Sequence, residues 1–235
     1  MIDSIIDILK NQNTWWFIAA LLLASIVGRI KIIGPYLRII NTMFHEFGHA
    51  LFALFFKGKV IDMELFSDTS GTTLTQSKSK RGQFMVAIAG YPFSLVVSIV
   101  LYYLVILGKH DIILWTIAIT AAICLILWVR NAFGIFWLLL IIAISVGAWY
   151  YNNESIKYYL CLVFFLLQMS DAFFSTFILL FISIKKPQRA GDAINLQRIT
   201  GIPAFLWALF FVAFALLSLF VLLKIHLWGD FVLTI

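Results

Sequence analysis

Seven long apolar runs, separated by short polar segments, constrain this chain more than any other feature. A segment needs about 20 mostly apolar residues to cross the hydrocarbon core of a bilayer. The runs approach or exceed that length, with approximate ends at 14–28, 35–56, 84–107, 112–129, 132–151, 156–184 and 202–227. Because 63% of the residues are hydrophobic and 12% are charged, a water-soluble fold would lack the polar residues to cover its surface.

These runs predict an all-α polytopic membrane protein with about seven transmembrane helices. The first run is short and the sixth is long, so six or eight crossings are alternatives. No internal repeat or low-complexity segment interrupts the series, and we expect one integral membrane domain over residues 1–235.

The lysines and arginines are divided unevenly between the two faces that seven crossings define. One face receives the N-terminus, with Lys10, and the loops at 57–83, 130–131 and 185–201, which together hold most of the basic residues. By the positive-inside rule this face is cytoplasmic. The formal charge of +6 is therefore interpreted as a topology signal in a plasma membrane of the bacterial type, and not as a surface for nucleic acid.

The loop at 57–83 has the pattern of a β-hairpin. Residues 60–66 alternate apolar and polar side chains, and residues 71–75 do so more weakly. The segment between them, Ser67-Asp68-Thr69-Ser70-Gly71, has the composition of a turn. Backbone without helical pairing cannot lie bare in lipid, so we expect the hairpin at the interface or against other helices.

The second apolar run contains a metal-binding pattern, His45-Glu46-Phe47-Gly48-His49. Residues four apart lie on the same face of a helix, so His45 and His49 can direct their imidazole nitrogens at one metal ion. Glu46 lies about 100° round the helix, where its carboxylate can reach a water in the open position of a catalytic zinc site. Ionisable side chains cost free energy within an apolar span, and this cost favours a functional site over residues that have no role.

A catalytic zinc site needs a third protein ligand, and two aspartates are candidates. Asp171 lies inside the long sixth run, at a depth similar to that of His45 when both are measured by helix rise from the same face. Asp192 lies in the basic loop at 185–201, on the face where the histidine helix ends, and its simpler interpretation is a helix cap. The residues alone leave both candidates open.

Several segments together resemble the site-2-protease superfamily of intramembrane zinc metalloproteases, in its compact branch without a PDZ domain. The resemblance covers about residues 43–210 in order and extends beyond the histidine motif. Its segments are 45–51 (His-Glu-Phe-Gly-His-Ala-Leu), 67–73 (Ser-Asp-Thr-Ser-Gly-Thr-Thr), 89–92 (Ala-Gly-Tyr-Pro), 130–134 (Arg-Asn-Ala-Phe-Gly), 192–193 (Asp-Ala), 200–203 (Thr-Gly-Ile-Pro) and Trp207.

The resemblance implies hydrolysis of peptide bonds within or beside the membrane. It implies one Zn²⁺ held by two histidines and a later aspartate, and the Asp-Ala pair that matches the compact branch is Asp192-Ala193. The predicted metal ligands are therefore His45, His49 and Asp192, with Asp171 as the alternative. Better-known members of the superfamily carry an Asp-Gly pair here, and this sequence has none.

The predicted mechanism uses a zinc-activated water with Glu46 as general base, acting on a membrane-protein or peptide substrate within the lipid bilayer. Two other classes of function remain as alternatives. One is a non-proteolytic membrane scaffold or regulator that retains the fold. The other is a transporter or channel in which polar residues of the spans, such as Arg38, Asn41, Gln168 and Asp171, line a pathway.

Overall fold

The computed structural model describes residues 12–233, and within that range each predicted apolar run forms a helix. A two-stranded hairpin follows the second helix, and a short additional helix precedes the last. The helices are α1 (Gln12–Val27), α2 (Gly34–Phe55), α3 (Lys80–Ile106), α4 (His110–Leu127), α5 (Ala132–Tyr151), α6 (Glu154–Lys185), α7 (Gly191–Thr200) and α8 (Ala204–Leu233). The strands are β1 (Lys59–Leu65) and β2 (Gly71–Gln76).

Five of these helices, namely α3, α4, α5, α6 and α8, are long and apolar enough to cross a membrane. Helix α1 is apolar but has only 16 residues. Helix α2 has 22 residues but carries Arg38, His45, Glu46 and His49. The chain is thus an integral membrane protein, while seven crossings stays a prediction. The predicted cytoplasmic N-terminus, with Lys10, lies outside the described residues.

The predicted hairpin is confirmed as an antiparallel pair of strands. In its turn, Asp68 accepts hydrogen bonds from the Ser70 hydroxyl and backbone N–H, which hold the pKa of the Asp68 carboxyl below its ordinary value. The outer edge of β1 lies against the turn between α4 and α5, where the Met63 N–H donates to the Trp128 carbonyl. The side chain of Asn131 bonds both the N–H and the C=O of Leu65.

The hairpin is therefore fixed on its β1 side. Among the described residues its free edge is that of β2. Thr72, Thr73 and Thr75 of this strand line a polar cleft, and Thr73 bonds Glu46 of α2.

Two apolar clusters hold the helices together. The larger cluster contains residues from each of the helices α1, α2, α3, α4, α5 and α6 and from α8. Ile39, Met43, Leu95 and Phe165 are among its buried members. A second cluster surrounds α7, whose buried Ala193, Ile194 and Leu196 pack with Ala208 and Phe211 of α8. The segment predicted as a loop at 185–201 is thus largely a helix packed against α3 and α8. This packing determines where Asp192 lies.

Candidate metal centre

One face of α2 carries a continuous polar stripe. Arg38, Thr42, His45 and His49 follow one another at spacings of four, three and four residues, so their side chains project from the same face. The two imidazole rings meet edge to face, with centroids 4.7 Å apart. The spacing in the sequence therefore produces the adjacent pair of histidines that it predicted.

Helix α3 approaches this stripe closely because glycine stands at two positions. A Cβ built on Gly48 would lie 2.8 Å from Cβ of Phe93, so the glycine lets the two helices touch. A Cβ built on Gly90 would lie 2.5 Å from Nε2 of His45 and 2.6 Å from Nε2 of His49. The backbone of Gly90 thus forms a wall beside both imidazoles.

The orientation of His49 is set by a backbone carbonyl of α3. Nδ1 of His49 lies 2.7 Å from the Val86 carbonyl oxygen. A carbonyl can only accept, so Nδ1 carries the hydrogen and Nε2 of the neutral ring carries the lone pair. A hydrogen bond of this kind orients a histidine that ligates a metal. His45 instead packs edge-on against the ring of Tyr91, at 4.6 Å between centroids.

Asp192 reaches the histidines from α7. Gly191 begins this helix at φ 42°, a left-handed conformation that favours glycine, and the N-cap position is occupied by Ala190 and not by Asp192. Oδ2 of Asp192 lies 3.1 Å from Nε2 of His45 and 3.2 Å from Nε2 of His49. The structure thus brings together three of the residues singled out in the sequence.

The three facing atoms form a nearly equilateral triangle. The two Nε2 atoms are 3.1 Å apart, so every side measures 3.1 or 3.2 Å. Ligands of a tetrahedral zinc ion, with bonds of about 2.0–2.1 Å, lie about 3.3 Å from one another. Oδ2 of Asp192 is buried and has no hydrogen-bond partner within the described chain. Two imidazole nitrogens and a carboxylate oxygen are the donor types that zinc prefers, and their spacing matches a tetrahedral site, so these residues fit a metal ion.

Asp171 lies elsewhere in the same cleft and has partners of its own. Nε of Arg38 donates to its Oδ1 at 2.5 Å, and Nδ2 of Asn41 donates to its Oδ2 at 2.9 Å. Both oxygens are thus engaged by α2, one to two turns before His45. The helix rise predicts that Asp171 lies at a depth in the membrane similar to that of His45. Depth alone does not show that Arg38 lies opposite Asp171. Nor could it show that α7 folds back towards the histidines.

Glu46 lies between the histidines and the hairpin. Its side chain is buried, and Oε2 accepts a hydrogen bond of 2.7 Å from the hydroxyl of Thr73 in β2. A Cβ built on Gly71 would lie 2.7 Å from Oε1, so this second oxygen is close to the start of the same strand. Thr42 adds a further tie, because its hydroxyl donates to the carbonyl of Thr69. The carboxylate is thus held next to β2 by a single hydroxyl.

These groups line one polar cleft of about 830 Å³. Its walls come from α2, β2, α3, α6 and α7, and it contains the three facing atoms, Glu46, Arg38 and Asp171. The cleft is large enough for an extended segment of peptide and open enough to admit water.

Some parts of this site had no signal in the sequence. The carbonyl of Val86 is a backbone group, and nothing in an amino-acid sequence marks one carbonyl among many. The pairing of Arg38 with Asp171 did have a signal, because each is an isolated charge in an apolar run and such charges tend to pair. Gly90 and Thr73 were found through the resemblance and not through their own chemistry.

The fold and the site together define a polytopic membrane protein of the metallopeptidase type. Two imidazoles and a carboxylate converge on one point, and a second carboxylate lies beside them.

The chain belongs to the Peptidase M50B-like family, whose family model matches residues 17–222. This match confirms the predicted place in the site-2-protease superfamily, and no PDZ domain is detected within the 235 residues. No curated protein and no solved structure matches the chain.

Proposed function

We propose that this protein is an intramembrane zinc metalloprotease that hydrolyses peptide bonds of membrane-embedded or membrane-proximal segments. The observation that carries the proposal is the triangle formed by Nε2 of His45, Nε2 of His49 and Oδ2 of Asp192. These three residues would hold one Zn²⁺. Family membership supports a metallopeptidase, and the arrangement of the side chains supports the mechanism.

Bound zinc supplies Lewis-acid polarisation of a carbonyl and a water that ionises near neutral pH. Glu46 is the general base, and Oε1 takes the proton from the attacking water because Oε2 is engaged by Thr73. The same carboxyl then returns the proton to the leaving amine. The Val86 carbonyl holds the ring of His49 in place during these steps.

The free edge of β2 is the proposed binding place for the substrate. A helical peptide bond is shielded by its own backbone hydrogen bonds, so the segment to be cut must be extended. An extended segment can add to β2 as a third strand, because β1 is fixed on its other side by Trp128 and Asn131. A strand in that position runs past Thr73 and hence past Glu46.

The substitution Glu46→Gln tests the mechanism. It preserves the size and the hydrogen bond to Thr73 but removes the base. We expect zinc, measured by elemental analysis, to remain at one ion per chain, while cleavage of a reconstituted membrane-protein substrate falls by at least about 100-fold.

Cleavage that survives this substitution would refute the mechanism. Loss of zinc together with cleavage would show that Glu46 acts as a ligand and not as a base. A protein that binds zinc but cleaves no substrate even without the substitution would support the alternative of a membrane scaffold.

A further inference from the structure

Arg38 is the one guanidinium among the described residues that both lines the cleft and pairs with a buried carboxylate. Its side chain packs against Gly28, where a Cβ would lie 3.3 Å from Cγ of Arg38. Nε donates to Asp171, whose side chain is 8% exposed. The pair places a fixed positive group in an apolar protein interior, which is costly unless the group has a use.

The two terminal nitrogens of this guanidinium remain available. Within the described chain the hydrogen bond of Arg38 is made by Nε, and no other donor of its side chain has a protein partner. The side chain is 22% exposed and lines the cleft. Arginine presents its terminal nitrogens as a planar fork that matches a carboxylate.

The position of Arg38 along α2 relates it to the metal centre. Arg38 precedes His45 by seven residues, or about 10 Å of helix rise. An extended chain covers about 3.3 Å per residue, so this separation corresponds to roughly three residues of substrate. Beyond Arg38 the cleft gives way to a cavity of about 10 Å³ between α1, α2 and α6, too small for a further side chain. Arg38 thus stands at a closed end.

The direction of β2 indicates which end of a substrate would reach Arg38. β2 runs from Gly71, which lies beside Thr42, to Gln76, and the next residue, Ser77, accepts a hydrogen bond from Gln83 of α3 through its carbonyl. A strand that adds to β2 in the antiparallel sense runs the opposite way, so its C-terminal part passes Gly71 and approaches Arg38. A free C-terminus is anionic and suits a guanidinium, whereas an N-terminal ammonium is repelled by it.

We infer that Arg38, held by Asp171, forms a subsite that binds a carboxylate of the substrate roughly three residues beyond the scissile bond, on its C-terminal side. The inference rests on the proposed function because it assumes that the cleft receives a peptide. The carboxylate belongs either to an acidic side chain or to the C-terminus of the substrate. Both present the same chemistry to Arg38.

Peptide binding to the Glu46→Gln protein tests this inference without relying on cleavage. The probes are two pairs of fluorescent apolar peptides. In one pair the third position after the intended cleavage site is Glu or Gln. In the other pair the peptide ends at that position with a free or an amidated C-terminus. Fluorescence anisotropy in lipid nanodiscs measures each Kd. We expect the form with a carboxylate to bind about tenfold more tightly than its uncharged partner. The pair that shows the difference identifies the source of the carboxylate.

The double variant Arg38→Gln/Asp171→Asn, made in the same protein, removes the guanidinium without leaving a buried charge unpaired. It is expected to bind all four peptides with the affinity of the uncharged forms. The matched control is Arg29→Gln, which removes another arginine that lies outside the cleft and should keep the tenfold preference.

Equal binding of charged and uncharged peptides by the Glu46→Gln protein overturns the inference, and so does a preference that survives in the double variant. Peptides that fail to bind at all overturn it as well. The comparison between peptides needs no further variant to fold. Cleavage of the amidated peptide by the unsubstituted protein is measured separately. If the peptides with a carboxylate bind more tightly but no peptide is cleaved, the result contradicts the proposed hydrolysis and leaves the carboxylate subsite supported.

Discussion

Asp171 and Asp192 are two aspartates of the same cleft with different surroundings. Both oxygens of Asp171 accept hydrogen bonds, from Arg38 and Asn41, whereas Oδ2 of Asp192 faces two imidazole nitrogens. A carboxylate whose oxygens both accept hydrogen bonds has little capacity left for a metal, whereas Oδ2 of Asp192 has no hydrogen-bond partner among the described residues and lies at ligand spacing from two imidazoles. The geometry therefore favours Asp192 as the third ligand.

Replacing each aspartate in turn distinguishes their roles. We expect Asp192→Ala to weaken zinc binding by at least about 100-fold, because it removes a ligand and leaves two histidines. Asp171→Asn should keep zinc, since its amide still accepts from Arg38. Competition with a chelator of known affinity measures both. Retention of tight zinc by Asp192→Ala, with loss in Asp171→Asn, would reverse the assignment.

Gly90 offers a second test at the scale of single residues. A methyl group there would overlap Nε2 of both histidines, at 2.5 and 2.6 Å. We expect Gly90→Ala to reduce both zinc content and cleavage at least about tenfold while the helices remain assembled, because the histidines are the flexible partners in the clash. Gly147→Ala is the control, since a Cβ at Gly147 meets nothing within 4 Å. An unaltered zinc site in Gly90→Ala would show that α3 does not approach the imidazoles this closely.

At the scale of elements, the hairpin depends on one side chain from the turn between α4 and α5. Asn131 bonds the N–H and the C=O of Leu65 and thereby takes the place of a neighbouring strand. Because β1 is held in this way, β2 keeps its free edge towards the cleft. Thr73 then positions Glu46 from that edge. The turn and Glu46, the proposed general base, are thus connected through the hairpin.

Removal of Asn131 should therefore affect substrate binding more than chemistry. We expect Asn131→Ala to raise KM several-fold with a smaller change in kcat, and to lower stability by about 1–3 kcal/mol because it leaves the polar groups of Leu65 without partners. Asn131→Asp, which keeps the acceptor for the Leu65 N–H, should have a weaker effect on KM. Peptide kinetics and thermal unfolding in nanodiscs measure both quantities. An unchanged KM in Asn131→Ala would separate the hairpin from substrate binding.

The elements also show what the sequence could and could not predict. Apolar runs and the alternation at 60–66 are local patterns, and they predicted the helices and the hairpin. The four-residue spacing of His45 and His49 is local as well. The approach of Asp192 is not local, because it depends on how Ala193, Ile194 and Leu196 pack against α8. For that reason the residues alone left Asp171 and Asp192 equally open, and the resemblance was needed to choose.

At the scale of the whole molecule, the polar cleft and the membrane must be reconciled. The helices expose many large apolar side chains, among them Phe55, Tyr150 and Leu217, and such a surface suits lipid and not water. Five ionisable groups of α2 and α6 line the cleft, namely Arg38, His45, Glu46, His49 and Asp171, and Arg38 pairs with Asp171. An apolar exterior around a polar cleft is the arrangement that the proposed hydrolysis of a membrane-embedded substrate needs.

The orientation of this assembly in the membrane gives the last prediction. The basic segments at 57–83 and 185–201 should lie on the cytoplasmic side, and the turns at 107–109 and 152–153 on the opposite side. Single cysteines at the exposed positions Lys78 and Gln188 should therefore react with a membrane-impermeant maleimide in inside-out vesicles. Those at Lys109 and Asn153, which are also exposed, should react in right-side-out vesicles.

The native thiols give little background to this measurement, because Cys124 and Cys161 are both buried. Each introduced cysteine can be labelled again after detergent is added, which shows that the thiol is reactive wherever it lies. Labelling of Lys78 and Lys109 positions from the same side would contradict a single crossing by α3 between them. Labelling of the Lys78 position in right-side-out vesicles would place the hairpin, and with it the open edge of β2, on the side of the membrane opposite to the one that the basic residues predict.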